Sequence, residues 1–345
     1  MGRDLLKRPY GRFFYLPKIL ADRGHQVTLV TLSYANDKME RFNLQGIDAW
    51  SIPAIPFGPL PYLCKIRQLS EEIKPDWIVG CSDTYYGIWA ERLARQYGAK
   101  SAIDAYDNYE SYLPWFAWLH KRWRKALRQA DLVTAAGPQL AKLMGRERKQ
   151  APIIVPMAAD PSGFIPMDRR ECRSSLGLPL EAPILGYFGS IYKNRGVETL
   201  FKAYSQLKKT CPDCLLLMSG RKGKGMNLPD DAIWLGYIPD KDVPIVLNAV
   251  DVLVVVNRNT RFGKYSYPVK LYEAIQCGIP AVASATNSAR WILNSREQHL
   301  ANIDDADNLV EKINHALCIK RMEYGQPTSW EKSTDAFESG IYSIK

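Results

Sequence analysis

Apolar positions recur along this chain in two alternating periods. Residues 11–23 place Phe13, Phe14, Leu16, Ile19 and Leu20 at helical spacing, Gly24-His25 ends that run, and 26–32 follows as a strand. The alternation continues with strands at 47–52, 77–81, 100–105, 132–136 and 153–155, and with helices at 64–73, 85–97, 112–129 and 139–145. Turn-forming residues at 160–166 interrupt it. The pattern then restarts with a helix at 169–176 and a strand at 184–188. A helix follows whose apolar face is Val197, Leu200, Phe201, Tyr204 and Leu207. Further strands are predicted at 215–218, 232–235 and 252–256, with a helix at 244–250, and Asp304-Asp305 cap a helix that buries Leu309, Val310, Ile313 and Leu317. Beyond Gly325-Gln326-Pro327 a last helix spaces Trp330, Phe337 and Ile341 seven and four apart. Strands alternating with helices predict an α/β fold of parallel sheets covered on both faces. The breaks divide the chain into 1–160, 161–325 and a final helix at 326–345. One irregularity stands out. A doubly wound domain opens on a strand, yet only the polar residues 1–9 precede the first helix, so the first strand is either missing or very short.

The segment 266–280 is a helix with a start and a stop. Ser266 is its expected N-cap, Pro268 suits the first turn, Gly278 ends it, and 279–283 reads as a buried strand. Lys270 and Glu273 are three apart and share a face. A helix start aimed at a cleft binds phosphate through its free N–H groups and dipole, and a carboxylate one turn in can accept from ribose hydroxyls. An ordinary amphipathic helix has the same pattern, so these residues alone leave both readings open.

Composition narrows the classes. At 345 residues two domains are expected, and no apolar run approaches the roughly 20 residues of a membrane span. The N-terminus has no hydrophobic signal core, and the seven cysteines are an odd, scattered set; both point to reduced thiols in the cytoplasm. Cys211-Pro212-Asp213-Cys214 has neither a second pair nor a nearby histidine, so a turn explains it better than zinc or redox chemistry. Net charge is +10, of which residues 1–160 carry +7 (23 basic against 16 acidic). An anionic substrate, membrane surface or nucleic acid could each meet that excess.

Four stretches can carry chemistry. Gly189 to Gly196 follows a strand and opens a helix, and Lys193 and Arg195 within it can neutralise a diphosphate. A second loop, 219–225, reads first as a flexible surface loop, though it carries Arg221 at a strand's C-terminal end, where ligands of open α/β sheets bind. Asp104 and Asp107 directly follow another strand and can bind hydroxyls or assist proton transfer, or else cap the next helix. The 112–129 helix mixes Trp115, Trp118 and Trp123 with Lys121, Arg122, Arg124, Lys125 and Arg128; this fits an interfacial helix on an anionic membrane and equally a core helix with one basic face. Aromatic and basic residues interleave on that helix only, which argues against nucleic acid. The four histidines are dispersed, so no histidine triad or metal cluster is expected.

In this order the pieces resemble the GT-B glycosyltransferases, specifically the large retaining group 1 family known as family 4. Gly11-Arg12-Phe13-Phe14 through Gly24-His25-Gln26-Val27-Thr28 is similar to the family's first helix and following strand. Val155-Pro156-Met157-Ala158-Ala159-Asp160 with Phe164 and Pro166 is similar to its interdomain crossing, and 189–196 with Val197-Glu198-Thr199-Leu200 to its phosphate loop. Pro268-Val269-Lys270-Leu271-Tyr272-Glu273-Ala274 with Gly278-Ile279-Pro280-Ala281-Val282 is similar to its K-x-x-E-A nucleotide block. The resemblance covers nearly the whole chain. It implies two Rossmann-like domains with a cleft between them and a last helix crossing back to the first domain. It implies a UDP- or GDP-sugar held by the second domain. Glu273 would be on the ribose, Ser266, Tyr267, Pro268, Val269 and Lys270 at the phosphates, with Gly189, Ser190, Lys193, Arg195 and Arg221. Tyr237 would border the base. Tyr10, Gly11 and Arg12 would lie on the acceptor side and face the transferred sugar with Asp104 and Asp107, the catalytic group being Asp104, Asp107, Arg195 and Glu273. It implies no metal and no cofactor, and retention by front-face attack.

The sequence departs from that family in three places. The carboxylate eight residues before Glu273 is replaced by Tyr265, the phosphate-binding arginine falls at Ser190 with Arg195 in the lysine position, and the loop that often carries histidine holds Asp104, Tyr106 and Asp107. The expected protein is therefore a cytoplasmic glycosyltransferase, peripheral at the inner membrane face, with a lipid-linked or cell-envelope glycan as acceptor. A sugar-nucleotide epimerase and a non-catalytic scaffold on the same fold are its rivals.

Overall fold

The computed structural model describes residues 9–34, 38–161, 163–192, 195–325 and 327–344. The chain divides into two compact units, Met1–Met157 with Ser329–Lys345, and Ala158–Thr328.

The first unit opens with α1 (Arg12–Asp22), followed by β1 (Thr28–Ser33), β2 (Glu40–Leu44) and β3 (Ile47–Pro53). Then come α2 (Leu60–Ile73), β4 (Trp77–Cys81), α3 (Thr84–Tyr97), β5 (Lys100–Ala105), α4 (Ala117–Gln129), β6 (Leu132–Ala135), α5 (Pro138–Met144) and β7 (Ile153–Ile154). β1 and β3 run parallel, and β2 is an antiparallel edge paired to β3. Sequence patterning missed β2 because it is mostly polar and exposed. Its register comes from the two-residue turn Gln45-Gly46, whose φ angles of 52° and 94° are those of a hairpin turn. β4, β5, β6 and β7 form a separate parallel sheet in that order. Residues 1–8, where the question of a first strand falls, lie outside the described residues.

The expected 112–129 helix starts five residues later, at Ala117. Pro114 and a 3₁₀ turn at Tyr109–Ser111 occupy the preceding stretch. Trp123 points inward from α4 and packs on α3 at Gly87, where an added Cβ would come within 2.5 Å of the indole. Trp115 and Trp118 face outward, 77% and 55% exposed. The helix thus has both a core face and a basic, aromatic outer face.

The second unit contains α6 (Arg169–Ser175), β8 (Ile184–Phe188), α7 (Val197–Thr210), β9 (Leu215–Ser219), β10 (Ile233–Trp234), α8 (Val243–Asn248) and β11 (Val252–Val255). It continues with α9 (Val269–Cys277), β12 (Ala281–Ser284), α10 (Asn287–Ile292), β13 (Leu300–Ala301) and α11 (Ala306–Leu317). Its six strands are parallel in the order β10-β9-β8-β11-β12-β13. Apolar residues of α6, α8, α9 and α10 pack on one face of the sheet, and those of α7 and α11 on the other. Asp251 ties the start of this unit together. Its oxygens accept from Arg169, from Arg173 at 2.6 Å and from the Ile184 N–H at 2.7 Å. Cys214 is buried behind the turn after α7, and burial pushes its thiol up to about 12, which leaves it inert.

The last helix, α12 (Trp330–Ser343), belongs to the first unit. Trp330 stacks on Tyr15 of α1 with ring centroids 5.5 Å apart. Gly340 lets the helix lie against β6 and β7, since a Cβ there would reach 2.7 Å from Ile153 Cδ1. Arg23 donates to Asp335 and Glu338, and Glu338 also meets His25 at 2.7 Å.

Candidate active site

In the second unit the chain winds from β8 to β9 on one side and returns to β11 on the other, so a topological switch point lies between β8 and β11. Ligands of open α/β sheets bind outside the C-terminal strand ends at such a point. Three loops converge there, after β8, β9 and β11. The first two interlock through their backbones. Gly189 N–H donates to Ser219 O at 3.0 Å, Ile191 N–H to Arg221 O at 2.9 Å, and Gly220 N–H to Gly236 O at 2.7 Å. Gly220 has φ 122°, and a Cβ on it would stand 2.1 Å from Gly189 O, so only glycine fits. Gly189 itself is open, with nothing nearer to its added Cβ than Tyr187 Oη at 3.9 Å. A ligand can therefore approach the Gly189 backbone. The Ser190 carbonyl is held by the Tyr187 hydroxyl at 2.9 Å.

Arg195 joins the β8 loop to the β11 loop. Its guanidinium lies over the ring of Phe262 at 4.4 Å, an arrangement that leaves its donors in plane for phosphate oxygens. Arg258, in the same β11 loop, packs against Gly196 and faces Glu198 and Asp304 at 4.0 and 3.6 Å. Neither Phe262 nor Arg258 was singled out in the sequence. The signal was a basic loop (Arg258, Arg261, Lys264) directly after a buried strand. Lys193 lies outside the described residues. Arg221 is exposed on the β9 loop, which Trp234 pins by donating from Nε1 to Gly220 O at 3.2 Å. Tyr237 is exposed just beyond β10.

The start of α9 differs from expectation. Its N-cap is Pro268, not Ser266, and the helix begins at Val269 without a side-chain cap. Proline brings neither a hydroxyl nor an N–H, so no N-cap side chain competes with an anion for the first-turn N–H groups, of which that of Leu271 already donates to Pro268 O at 3.0 Å. Ser266 is instead held through its carbonyl, which accepts from Ser288 Oγ at 2.6 Å, and Tyr267 is buried edge-on against Trp291. These two residues set the loop. The C-cap is Gly278, as expected, with φ 65°. Lys270 donates to Glu273 Oε2 at 2.5 Å, with Glu273 1% exposed and Lys270 outermost. Tyr265 occupies the position eight before Glu273, at the end of a 3₁₀ turn.

In the first unit the acidic pair separates into two roles. Asp104, expected as a catalytic group, is buried in a two-pronged pair with Arg12. Nε donates to Oδ2 and Nη2 to Oδ1, each at 2.6 Å, and Thr134 Oγ1 also donates to Oδ1. Arg12 Nη1 donates further to Val155 O at 2.5 Å. Burial by itself would lower the Arg12 pKa; the Asp104 carboxylate outweighs it and the pKa is raised. In this structure Arg12 and Asp104, expected to face the transferred sugar, are bonded to each other. They clamp α1 to β5, β6 and the segment after β7, and neither presents a free polar atom. Asp107 sits at the rim, accepting from Tyr112 Oη at 2.7 Å and from Asn108 N–H at 3.0 Å. Gly11 caps α1 with φ 71°, and Tyr10 precedes it. Among the described residues, no three His, Cys, Asp or Glu side chains converge as a metal site, and no helix is long and apolar enough to cross a membrane.

Comparison with known proteins places both units. The model described as "Glycosyl transferase 4-like domain" matches residues 15–155, and "Glycosyl transferases group 1" matches 168–326. A D-inositol 3-phosphate glycosyltransferase of Actinosynnema mirum is 25% identical over 212 residues, 53% of this chain and 50% of that protein. The chain thus spans about half the length of the curated relatives it matches. Among solved structures, sucrose-phosphate synthase from Thermosynechococcus elongatus superposes with a TM-score of 0.72 at 19% identity, covering 95% of this chain and 87% of that one. Anabaena Alr3699/HepE in complex with UDP-glucose does so with a TM-score of 0.74 at 15% identity, covering 96% and 94%. At those identities the likeness is one of fold, which is GT-B.

Proposed function

We propose, on the premise that this chain belongs to the group 1 glycosyltransferases, that it moves a hexose from a UDP- or GDP-sugar to a lipid-linked or cell-envelope glycan with retention of anomeric configuration. The observation that carries the donor half is the switch-point geometry. An arginine lying over the Phe262 ring, an open Gly189 backbone and an uncapped α9 start belong to one set of strand ends. That arrangement suits a diphosphate, and the UDP-glucose held by the Anabaena structure favours uridine. Lys270 would turn from Glu273 to a phosphate, freeing the carboxylate to accept from the ribose hydroxyls. The acceptor oxygen bonds to C1 as the bond from C1 to the diphosphate breaks, and the acceptor proton passes to the departing phosphate oxygen. Arg195 and the α9 N–H groups stabilise the charge that develops there. Positive charge from the chain makes a metal unnecessary, so turnover is expected to continue in chelator.

The acceptor half rests on α4. Its outer face sets Trp115, Phe116 and Trp118 beside Lys121, Arg122 and Lys125, with Arg122 lying 4.0 Å over the Trp118 ring. Such a surface suits peripheral binding to an anionic bilayer at the cytoplasmic face. Flotation with phosphatidylglycerol vesicles, and its loss in Trp115→Ala/Trp118→Ala, tests this part.

The experiment for the whole is nucleotide release from a panel of donor sugars with a lipid-linked acceptor, alongside calorimetric binding of UDP and GDP. Arg195→Ala is expected to weaken nucleotide binding by about 1.5–3 kcal/mol, the range for a hydrogen-bonded charge, without moving the melting temperature. No binding of any nucleotide or nucleotide-sugar sinks the reading. Tyr265, in place of a sugar-contacting carboxylate, favours one second reading, a non-catalytic scaffold. Binding without turnover would mark it.

A further inference from the structure

The loop after β11, residues 256–268, carries Phe262 beneath Arg195 and is fastened at both ends by hydroxyls of the next βα turn. β12 runs parallel to β11, which brings its C-terminal end beside the start of that loop. Ser284, the last residue of β12, accepts at Oγ from the Asn257 N–H at 3.0 Å. Ser288, in α10, donates from Oγ to the Ser266 carbonyl at 2.6 Å. All four residues are buried, Ser288 completely. Between the two hydroxyls stands Thr286, the N-cap of α10. Its Oγ1 lies 3.1 Å from Ser288 Oγ and accepts from the Ala289 N–H at 3.2 Å.

Proton counting gives this chain of bonds a direction. A carbonyl only accepts, so the Ser288 hydroxyl proton is spent on Ser266. Thr286 must then donate to Ser288, while the Ala289 N–H donates to Thr286. The bonds point one way, from the α10 backbone to the loop, and bonds in such a series polarise one another. Ser284 belongs to the same turn, since its carbonyl accepts from the Thr286 N–H at 2.6 Å.

Between its anchors the loop is bonded to itself. Thr260 N–H donates to Arg258 O at 2.8 Å, Gly263 N–H to Thr260 Oγ1 at 3.0 Å, Lys264 N–H to Thr260 O at 3.1 Å and Tyr265 N–H to Phe262 O at 3.1 Å. Gly263 is required there, because a Cβ would stand 2.1 Å from Arg258 O. A segment bonded in this way shifts as one piece when an anchor is lost, and the ring under Arg195 shifts with it.

We propose that Ser284 and Ser288 are positioning residues for the diphosphate, acting through the β11 loop and Phe262 to hold Arg195 toward the phosphates. Placing a charged donor before the ligand arrives is what a rigid supporting shell contributes. Buried hydroxyls can also serve only to satisfy a buried carbonyl and a buried N–H. That role would lower stability without any coupling to Arg195. The proposal rests on the donor reading for its ligand, while the clamp itself stands without it.

The test is a double-mutant cycle on the full chain, read as calorimetric affinity for UDP and GDP. Ser288→Ala is expected to weaken binding of the nucleotide that the unaltered protein takes by about tenfold. With Arg195 already alanine, the same change should cost less than about twofold. Ser284→Ala should act from the other end of the loop, by about fivefold, and carries the cycle if Ser288→Ala does not fold. Without nucleotide, amides of 258–265 should exchange about tenfold faster in either variant, while those of β8 and β9 keep their protection. Undiminished nucleotide affinity in the variants overturns the proposal. So does a loss of equal size with and without Arg195, or failure of both variants to fold, either of which marks a purely structural role. Unchanged exchange of 258–265 overturns the clamp and leaves the donor reading standing. If the unaltered protein binds neither UDP nor GDP, the donor reading falls and the positioning role falls with it.

Discussion

Both units alternate strands and helices, and among the described residues they differ in how their strands are joined. In the second unit β8, the first strand, lies mid-sheet between β9 and β11, and its five residues are all buried. In the first unit the described strands form two sheets, β1-β3-β2 and β4-β5-β6-β7. Every residue of β1 is only part-buried, and Val79 in β4 is 40% exposed. In the first unit, side chains far apart in the chain add cohesion. Arg12 bonded to Asp104 and to the Val155 carbonyl, and α12 stacked on α1 through Trp330 and Tyr15, are those side chains.

The largest test of this contrast is Arg12→Ala. Removing one partner of a buried pair leaves the other charge uncompensated, and should cost the first unit about 3–5 kcal/mol while the second keeps its exchange protection. Asp104→Asn should act the same way. Loss of turnover without loss of stability in Asp104→Asn would instead restore the catalytic role. Next comes Gly220→Ala. With its φ of 122° and the Gly189 carbonyl in the way, the β9 loop must shift, costing about 1–3 kcal/mol and nucleotide binding together, with the first unit unaffected. Native-state hydrogen exchange then compares the units directly. Amides of β1 and β4 should exchange about tenfold or more faster than those of β8 and β9, because local opening follows burial. Equal protection would mean that the lower burial of β1 and β4 does not weaken them.

The smallest effect concerns Glu338, whose pKa is lowered by hydrogen bonds from His25 and then Arg23. A carboxylate depressed in the folded state adds stability above its unfolded pKa and loses it as pH falls through the folded value. Glu338→Gln should therefore lower the melting temperature slightly at pH 7, and the difference from the unaltered protein should shrink as acidification passes the ordinary glutamate pKa toward the depressed folded value.

Period and punctuation made most elements legible. The run 77–81 and the helix after it, the strand at 184–188, and the α9 stop at Gly278 are local matters of apolar spacing and glycine conformation. β2 was not legible, because an exposed edge strand has no buried face to mark it. The α9 start was misplaced by two residues because Ser266 is a good cap by type, yet its carbonyl is committed to Ser288 in another helix. The contact between Lys270 and Glu273 was readable because three residues on a helix share a face. The pairing of Arg12 with Asp104 joins residues 92 positions apart and was not.

By itself the sequence determined the alternating α/β order, the shared helix face of Lys270 and Glu273, and the amphipathic last helix, since each follows from local periodicity. Only the tertiary structure decided which charges are spent. It buried Arg12 and Asp104 against each other, set Arg195 over Phe262 and left Gly189 open. The reason is physical: a side chain's charge is local, but its desolvation and partners are set by strands brought together from far apart in the chain.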